Sequence, residues 1–409
     1  MRILYIIPNL QHPRVRGPHR HYHFIKELSQ RHAITLLTLV RNTVVPEALA
    51  EIKSYTENLF PFNVNGHSEN AWAGRFRKVP MLGARLENSV KLRGGLQAMK
   101  ARFLELADEN QFDVVCFHGK SVFSVIADWE GLPIVTDFCD ATSMRIRSSL
   151  RFNSPAKAPL YYAKSIRMRH LERRLIEKSD QVAFISKRDR EAVLGCTDCS
   201  PILPLGVDTN FWQRKAASLE TKCLVFTGVM DYAPNHDAAV HLIKTIFPKI
   251  QERVKNARLC IVGRSPKDSL LQIAKQNPAV SVTGFVDDVR PYLEQAAVFV
   301  APVRFASGTQ NKVLEAMAMQ LPVVTTEIVS EGLVVDDQEQ PPALAAKDDS
   351  DFAAKVASIL EDKDCRERLA KQGRLYVEKH FNWSNSASKL EALLERAVAD
   401  HQHLSILPE

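Results

Sequence analysis

Two short apolar runs, Val298-Phe299-Val300-Ala301-Pro302 and Val323-Val324-Thr325-Thr326, flank a glycine turn and a helix-patterned stretch from Ser307 to Met319. Strand, glycine loop, helix, strand is a βαβ unit, whose crossover leaves the two strands parallel and requires helices over both faces of the sheet. The alternation recurs along the chain. Strand patterns fall at Ile3 to Ile7, Ile34 to Val40, Val114 to Phe117, Ile134 to Val135 and Val182 to Ile185, then at Cys223 to Phe226, Leu259 to Val262 and Val280 to Val282. Helical patterns lie at His21 to Gln30, Leu96 to Asn110, Leu160 to Lys178 and His236 to Arg253, whereas residues 42–95 read as irregular. At 409 residues the chain exceeds one typical core. The expectation is two α/β domains, 1–205 and 221–383, joined by a linker at 206–220 and followed by a C-terminal helix in 384–409 with an apolar face at Leu390, Leu393, Leu394 and Val398.

The helix after the glycine turn carries unusual chemistry at its start. A helix start leaves backbone N–H groups without partners at the positive end of the helix dipole, an arrangement that holds a phosphate or pyrophosphate. Gly308, Thr309, Gln310 and Asn311 converge there beside Lys312, a cation in the first turn, where it opposes the dipole unless an anion sits nearby. Glu315 falls one turn deeper, within reach of a sugar hydroxyl attached to that phosphate, while Val313, Leu314, Met317 and Ala318 bury the opposite side. Arg264 follows Gly263 at the carboxyl end of the strand Leu259 to Val262, where a guanidinium can clamp a diphosphate. In the first half, Gly17 lies in the loop after the first strand and His118 ends the strand Val114 to Phe117.

Charge is uneven. Residues 1–205 hold 30 Lys+Arg against 20 Asp+Glu, and the excess concentrates between Arg145 and Lys178, where ten basic residues face only Glu172 and Glu177. Such a face suits an anionic membrane surface or a lipid-phosphate acceptor; nucleic acid is not expected, because the block has few aromatics and no recognition motif. No apolar run approaches about 18 residues, and the first residues run directly into a strand pattern, so a cytoplasmic protein, peripheral at the inner face of a membrane, is expected. Seven scattered cysteines do not form a disulfide framework, and Cys196-Thr197-Asp198-Cys199 lacks the second pair that a structural zinc needs. His19, His21 and His23 have no carboxylate or cysteine beside them in sequence, no Asp-x-Asp signature occurs, and Asp287-Asp288 reads as a helix cap, so no metal is expected.

The landmarks, taken together, are similar to those of a known family. Met1-Arg2-Ile3-Leu4-Tyr5-Ile6 with Gly17 beyond it, Asp113-Val114-Val115-Cys116-Phe117-His118-Gly119, Pro204-Leu205-Gly206-Val207-Asp208, Phe226-Thr227-Gly228 and the Ser307 to Met319 segment resemble, in order, the retaining glycosyltransferases of family 4, also called group 1. The resemblance is strongest over residues 222–333 and looks closest to the sugar-transferase branch found with bacterial exopolysaccharide systems. It implies the GT-B fold, two Rossmann-like domains facing each other across a cleft, with the last helix crossing back to the first, acceptor-side domain. It implies metal-independent transfer from a UDP- or GDP-sugar to a glycan or lipid-linked acceptor, without a cofactor. The residues it marks are His118, Lys312 and Glu315 as catalytic, to which Arg264 is added from its place at the strand end, and Gly17, Gly228, Gly308, Thr309, Gln310, Asn311, Lys312 and Glu315 as donor-binding; Asp137 and Asp140 lie near the cleft it implies, on the acceptor side.

This chain departs from the family at three places. Val229 and the Pro234-Asn235 region replace a common arginine and lysine, Ser307 replaces the first of two glutamates separated by seven residues, and Leu205 stands where asparagine usually precedes Gly-Val-Asp. A nucleotide-sugar epimerase of the same fold and a non-catalytic nucleotide-sugar-binding protein are the alternative readings. A nicotinamide dehydrogenase is disfavoured, since no G-x-G-x-x-G follows the first strand of either half.

Overall fold

The computed structural model describes residues 1–13, 19–40, 45–64, 80–109, 111–152, 155–195, 200–215, 222–335 and 337–406, with side chains from residue 92 in the helix that starts at Pro80 and up to residue 403 in the last helix. The first sheet holds β1 (Arg2–Ile7), β2 (Ala33–Val40), β3 (Asn58–Asn63), β4 (Val114–Phe117), β5 (Ile134–Phe138) and β6 (Gln181–Phe184) in the order β3-β2-β1-β4-β5-β6. The second holds β7 (Cys223–Thr227), β8 (Arg258–Val262), β9 (Val280–Val282), β10 (Val298–Ala301), β11 (Val323–Thr326) and β12 (Ala343–Ala346) in the order β12-β11-β10-β7-β8-β9. Every strand pair is parallel. Both sheets therefore follow the doubly wound order, which reverses beside the first strand and opens a crevice at the carboxyl strand ends.

Helices cover both faces. In the first domain they are α1 (Arg20–Leu28), α2 (Pro46–Ser54), α3 (Pro80–Asp108), α4 (Thr142–Ser149), α5 (Ala158–Glu177) and α6 (Lys187–Leu194). In the second they are α7 (Ala233–His241), α8 (Phe247–Arg253), α9 (Asp268–Ala274), α10 (Arg290–Gln295), α11 (Asn311–Ala318), α12 (Glu327–Glu331), α13 (Asp349–Glu361) and α14 (Lys363–His380), and α15 (Trp383–Ile406) closes the chain.

The irregular reading of residues 42–95 is corrected by α2, β3 and the first half of α3. β3 is an edge strand with Pro61 inside it and alternating exposure, a weak pattern. Gly83, Gly94 and Gly95 dilute the helical signal of α3. The single helix expected over His236 to Arg253 is α7 and α8 joined by a π turn at Leu242–Ile246. Pro248 has no N–H to donate, and the looser turn before it absorbs the break.

The two faces of the first sheet build separate apolar clusters. Leu390, Leu393, Leu394 and Ala397 of α15 join Ile3, Tyr5, Phe24 and Leu28 in one of them, so the last helix belongs to the core of the first domain. Burying each leucine contributes about 1.5–3 kcal/mol. The two crossovers run side by side. Val207 donates its N–H to Phe381 O at 2.9 Å, and Pro204 O accepts from Arg20 and from Ser386 Oγ. Gly206 lies flat on Trp383, where a Cβ would stand 2.3 Å from the indole, and Trp383 stacks on His23 with ring centroids 4.3 Å apart.

Candidate active site

A pocket of about 410 Å³ opens over the ends of β7 and β8 and the turn into α11. Backbone approach shapes its floor. Gly263 has φ 147°, and a Cβ there would lie 1.8 Å from the carbonyl oxygen of Gly228, so the two strand ends touch main chain to main chain and leave the space above them open. Arg264 follows at once and lines the pocket; its guanidinium has no hydrogen bond or ion pair among the described residues.

Lys312 and Glu315 rise from α11 into the same pocket. The Lys312 ammonium donates to Asn235 Oδ1 and lies 4.8 Å from the centroid of the Phe226 ring. Asn235 is itself fixed, donating through Nδ2 to Val229 O at 3.0 Å. Burial pushes Lys312 down to about 7, against a smaller opposing pull from Glu315. Burial likewise pushes Glu315 up to about 7, and its carboxyl has no hydrogen bond to the described residues. A cation and an acid are thus held ready to ionise in the absence of strong partners.

The turn amides divide between two roles. Gly308, with φ 66°, donates its N–H to both oxygens of Asp189 at 2.9 and 3.1 Å, across the seam between the domains. The N–H groups of Thr309, Gln310 and Asn311 have no backbone partner among the described residues and remain for an anion. Asp189, from the first turn of α6, also accepts from Ala141 N at 2.7 Å and is bonded by Ser186 Oγ. It thereby ties the end of β5, the start of α6 and the second-domain turn to one buried carboxylate.

The opposite wall is a smaller cavity of about 200 Å³ lined by His118, Lys120, Asp137, Cys139 and Asp140. His118 Nδ1 lies 3.0 Å from the carbonyl oxygen of Asp137. A carbonyl only accepts, so Nδ1 carries the proton and Nε2 keeps a lone pair. Burial pushes the His118 pKa down, which keeps the ring neutral. The Asp137 carboxylate is itself buried and bound by Arg20 at 2.6 and 3.0 Å. Its oxygens hold Arg20, and its carbonyl orients His118. Burial works to raise the pKa of Asp140, but Lys120 at 2.9 Å, Thr142 at 2.8 Å and Arg145 at 3.8 Å outweigh it and keep the carboxylate below its ordinary value. Asp140 Oδ2 reaches 3.4 Å from Ser307 Oγ, a second polar contact across the seam.

His21, His118, Asp137 and Cys139 bring ligand-type atoms within 4.8 Å of one another. Arg20 already binds both oxygens of Asp137, His21 Nδ1 pairs with Tyr5 OH at 2.8 Å, and His118 Nδ1 donates to a carbonyl. The donors satisfy each other around a fixed guanidinium, and an added cation would sit beside that charge.

Among the residues singled out from sequence, Gly228, Arg264, Gln310, Asn311, Lys312 and Glu315 line one pocket, with Gly308 and Thr309 in its turn. His118, Asp137 and Asp140 line the other. Gly17 and Cys196 to Cys199 lie outside the described residues. Asp288 accepts from Arg290 N at 2.9 Å just before α10, but the N-cap position itself is Val289, one residue later than the cap read from sequence. Asp189 and Phe285 were not foreseen, and Asn235 was noted only as part of a departure from the family, without a role in the site. Phe285 is 64% exposed on the pocket rim, and its only sequence signal is the Gly284-Phe285 pair after a short strand.

Two doubly wound domains with pockets facing across a seam define the GT-B fold, and solved structures agree. Sucrose-phosphate synthase from Thermosynechococcus elongatus is similar with a TM-score of 0.68 at 14% identity, over 98% of this chain and 99% of that one. Anabaena HepE, solved in complex with UDP-glucose, is similar with a TM-score of 0.62 at 12% identity, over 97% of this chain and 100% of that one. Residues 221–362 match the family model described as glycosyl transferases group 1. The capsular polysaccharide biosynthesis glycosyltransferase CapM of Staphylococcus aureus is 26% identical over 162 residues, 38% of this chain and 42% of that protein. A GDP-mannose-dependent α-(1-6)-phosphatidylinositol monomannoside mannosyltransferase of Mycobacterium tuberculosis is 28% identical over 260 residues, 55% of this chain and 64% of that protein. The chain thus spans less than half the length of CapM, and 45% of a similar M. tuberculosis glycogen synthase.

Proposed function

We propose that the protein is a glycosyltransferase that moves a hexose, with retention and without a metal, from a UDP- or GDP-sugar to a glycan or lipid-linked acceptor in bacterial exopolysaccharide or cell-surface polysaccharide synthesis. The observation that carries this reading is one pocket that gathers the unpaired guanidinium of Arg264, the desolvated Lys312, three unpartnered turn amides and the unbonded carboxyl of Glu315. The cations and amides suit a diphosphate, and the carboxyl suits ribose hydroxyls. When the glycosidic bond to the donor breaks, negative charge grows on the leaving diphosphate, and Lys312, Arg264 and the Thr309 to Asn311 amides stabilise it. The sugar then faces His118 Nε2 and Asp140 across the seam. Asp137 is a positioning residue, acting through His118 and Arg20. The outward arginines of α5 support contact with an anionic membrane surface at the cytoplasmic face.

The test is release of nucleoside diphosphate by the purified protein from UDP-, GDP- and ADP-sugars, with and without a lipid-linked glycan acceptor and with and without chelator. Acceptor-dependent release that survives chelator is expected. Sugar conversion without acceptor would indicate an epimerase, and ligand-induced stabilisation without turnover would indicate a binding protein; either outcome overturns the transferase reading. Glu315→Gln should weaken nucleotide-sugar binding at least tenfold by calorimetry while leaving the ligand-free melting temperature nearly unchanged, since a hydrogen bond to a charged group contributes about 1.5–3 kcal/mol.

A further inference from the structure

Four polar groups meet at the seam between the two pockets of the site, and the protein leaves much of their hydrogen-bonding capacity unused. Tyr232 follows β7 and Ser307 follows β10, the paired strands at which the order of the second sheet reverses. Asp140 follows β5, and Arg145 stands in the first turn of α4, so both come to the seam from the first domain. Asp140 Oδ2 is the common point, with Ser307 Oγ at 3.4 Å and Arg145 Nε at 3.8 Å. The Arg145 guanidinium lies in turn 5.9 Å from the centroid of the Tyr232 ring.

The groups are held in place but loosely paired with one another. Lys120 at 2.9 Å and Thr142 at 2.8 Å anchor the Asp140 carboxylate, while its approach to Ser307 and Arg145 stays long. The Arg145 guanidinium and the Tyr232 hydroxyl have no hydrogen bond among the described residues. Tyr232 lines the donor pocket and is 45% exposed. Burial raises its pKa, with the Arg145 charge pulling it down and the Asp140 charge pushing it up, so the phenol lies in the field of both and stays protonated. A contact built only to hold two domains pairs its polar groups, as Asp189 does with the Gly308 N–H. Here a carboxylate that accepts, a guanidinium that donates and two hydroxyls that do both converge with capacity to spare. Adjacent hydroxyls of a sugar ring, each able to give one hydrogen bond and take others, match that set. A second carboxylate does not, because Asp140 stands beside Arg145 and repels it.

We propose that Asp140, Arg145, Tyr232 and Ser307 read adjacent hydroxyls of the transferred sugar and select a neutral hexose over a hexuronate. The proposal rests on the transferase reading, in which a diphosphate at the Thr309 to Asn311 amides sets the attached sugar beside Ser307. Calorimetry with UDP, UDP-glucose, UDP-galactose and UDP-glucuronate, and with GDP, GDP-mannose and GDP-mannuronate, tests it. Tyr232→Phe keeps the ring beside Arg145 and removes only the hydroxyl; affinity for the preferred sugar nucleotide should fall about fivefold. Arg145→Gln should lower the same affinity by roughly tenfold or more. In both variants the bare nucleoside diphosphate should bind as in wild type, and ligand-free melting curves should match. Wild type should bind the hexuronate roughly tenfold more weakly than the matching hexose, and Asp140→Asn should narrow that gap.

Equal losses for the sugar nucleotide and the bare nucleotide, with a lowered melting temperature, would make the cluster a plain domain contact and overturn the proposal. Unchanged sugar-nucleotide affinity in both variants, or tighter binding of the hexuronate than of the hexose, would overturn it as well. A wild-type protein that binds none of these nucleotides would overturn the transferase reading itself, whatever the variants do.

Discussion

Lys312 and Glu315 share a pocket in which neither charge has a partner strong enough to hold it, and this makes donor binding a protonation event. Free Lys312, pushed down to about 7 by burial, is mostly neutral at pH 8. A diphosphate restores the ammonium, so binding at pH 8 takes up a proton, and affinity falls as pH rises above about 7. Glu315, pushed up to about 7, is mostly protonated on the acid side and must ionise to accept two ribose hydroxyls, so affinity falls again as pH drops. Calorimetry of UDP binding in buffers of different ionisation enthalpy should show net proton uptake at pH 8, and Lys312→Met should abolish it. If Lys312 and Arg264 act on one leaving group, each change to alanine should cut turnover by roughly a hundredfold. The double variant should lose less than the sum of the two energies, since groups on one charge are not additive. Independent, additive losses would place one of the two outside the diphosphate site.

At the level of elements, the turn into α11 and the start of α6 are joined through Asp189. Its replacement by alanine leaves the amides of Ala141 and Gly308 buried without their acceptor, a loss of about 1–3 kcal/mol. The melting temperature should fall by several degrees, and nucleotide affinity should change with it, because the turn that loses its anchor is the one proposed to hold the diphosphate. A variant with wild-type melting and wild-type UDP affinity would show that the seam contact is idle. This anchor was not legible in the sequence. Asp189 sits in Ser186-Lys187-Arg188-Asp189, where it reads as an ordinary first-turn acid, and its partner is 119 residues away. In the α11 turn, by contrast, the placing of Lys312 and Glu315 in one pocket was legible, because helical spacing sets their relation, while the capture of the Gly308 N–H by Asp189 was not. Asn235 lay between these cases: its position was noted, but its bond to Lys312 depends on how β7 and β10 pair. The strands of both sheets were legible wherever β-branched residues cluster, and β12, with the sequence Ala-Leu-Ala-Ala, was missed because alanine carries no strand signal.

For the whole molecule, the paired crossovers decide how the two domains are held. Gly206→Ala would set a methyl against the Trp383 indole that lies between Gly206 and His23, so it should destabilise the protein by about 1–3 kcal/mol, through overpacking. Calorimetric melting of that variant, compared with Ile166→Asp as a surface control, checks it. The return of α15 to the first domain also sets the order in which the protein can be made. A ribosome releases residues 1–205 first, yet the apolar cluster around Ile3, Tyr5 and Phe24 lacks Leu390, Leu393 and Leu394 until the final stretch has emerged. At about 5–20 residues per second, roughly 200 further residues take some 10–40 s to appear. During that interval the second domain has its own core within reach, and the earlier-born half waits with an open apolar face that only the end of its own chain can cover.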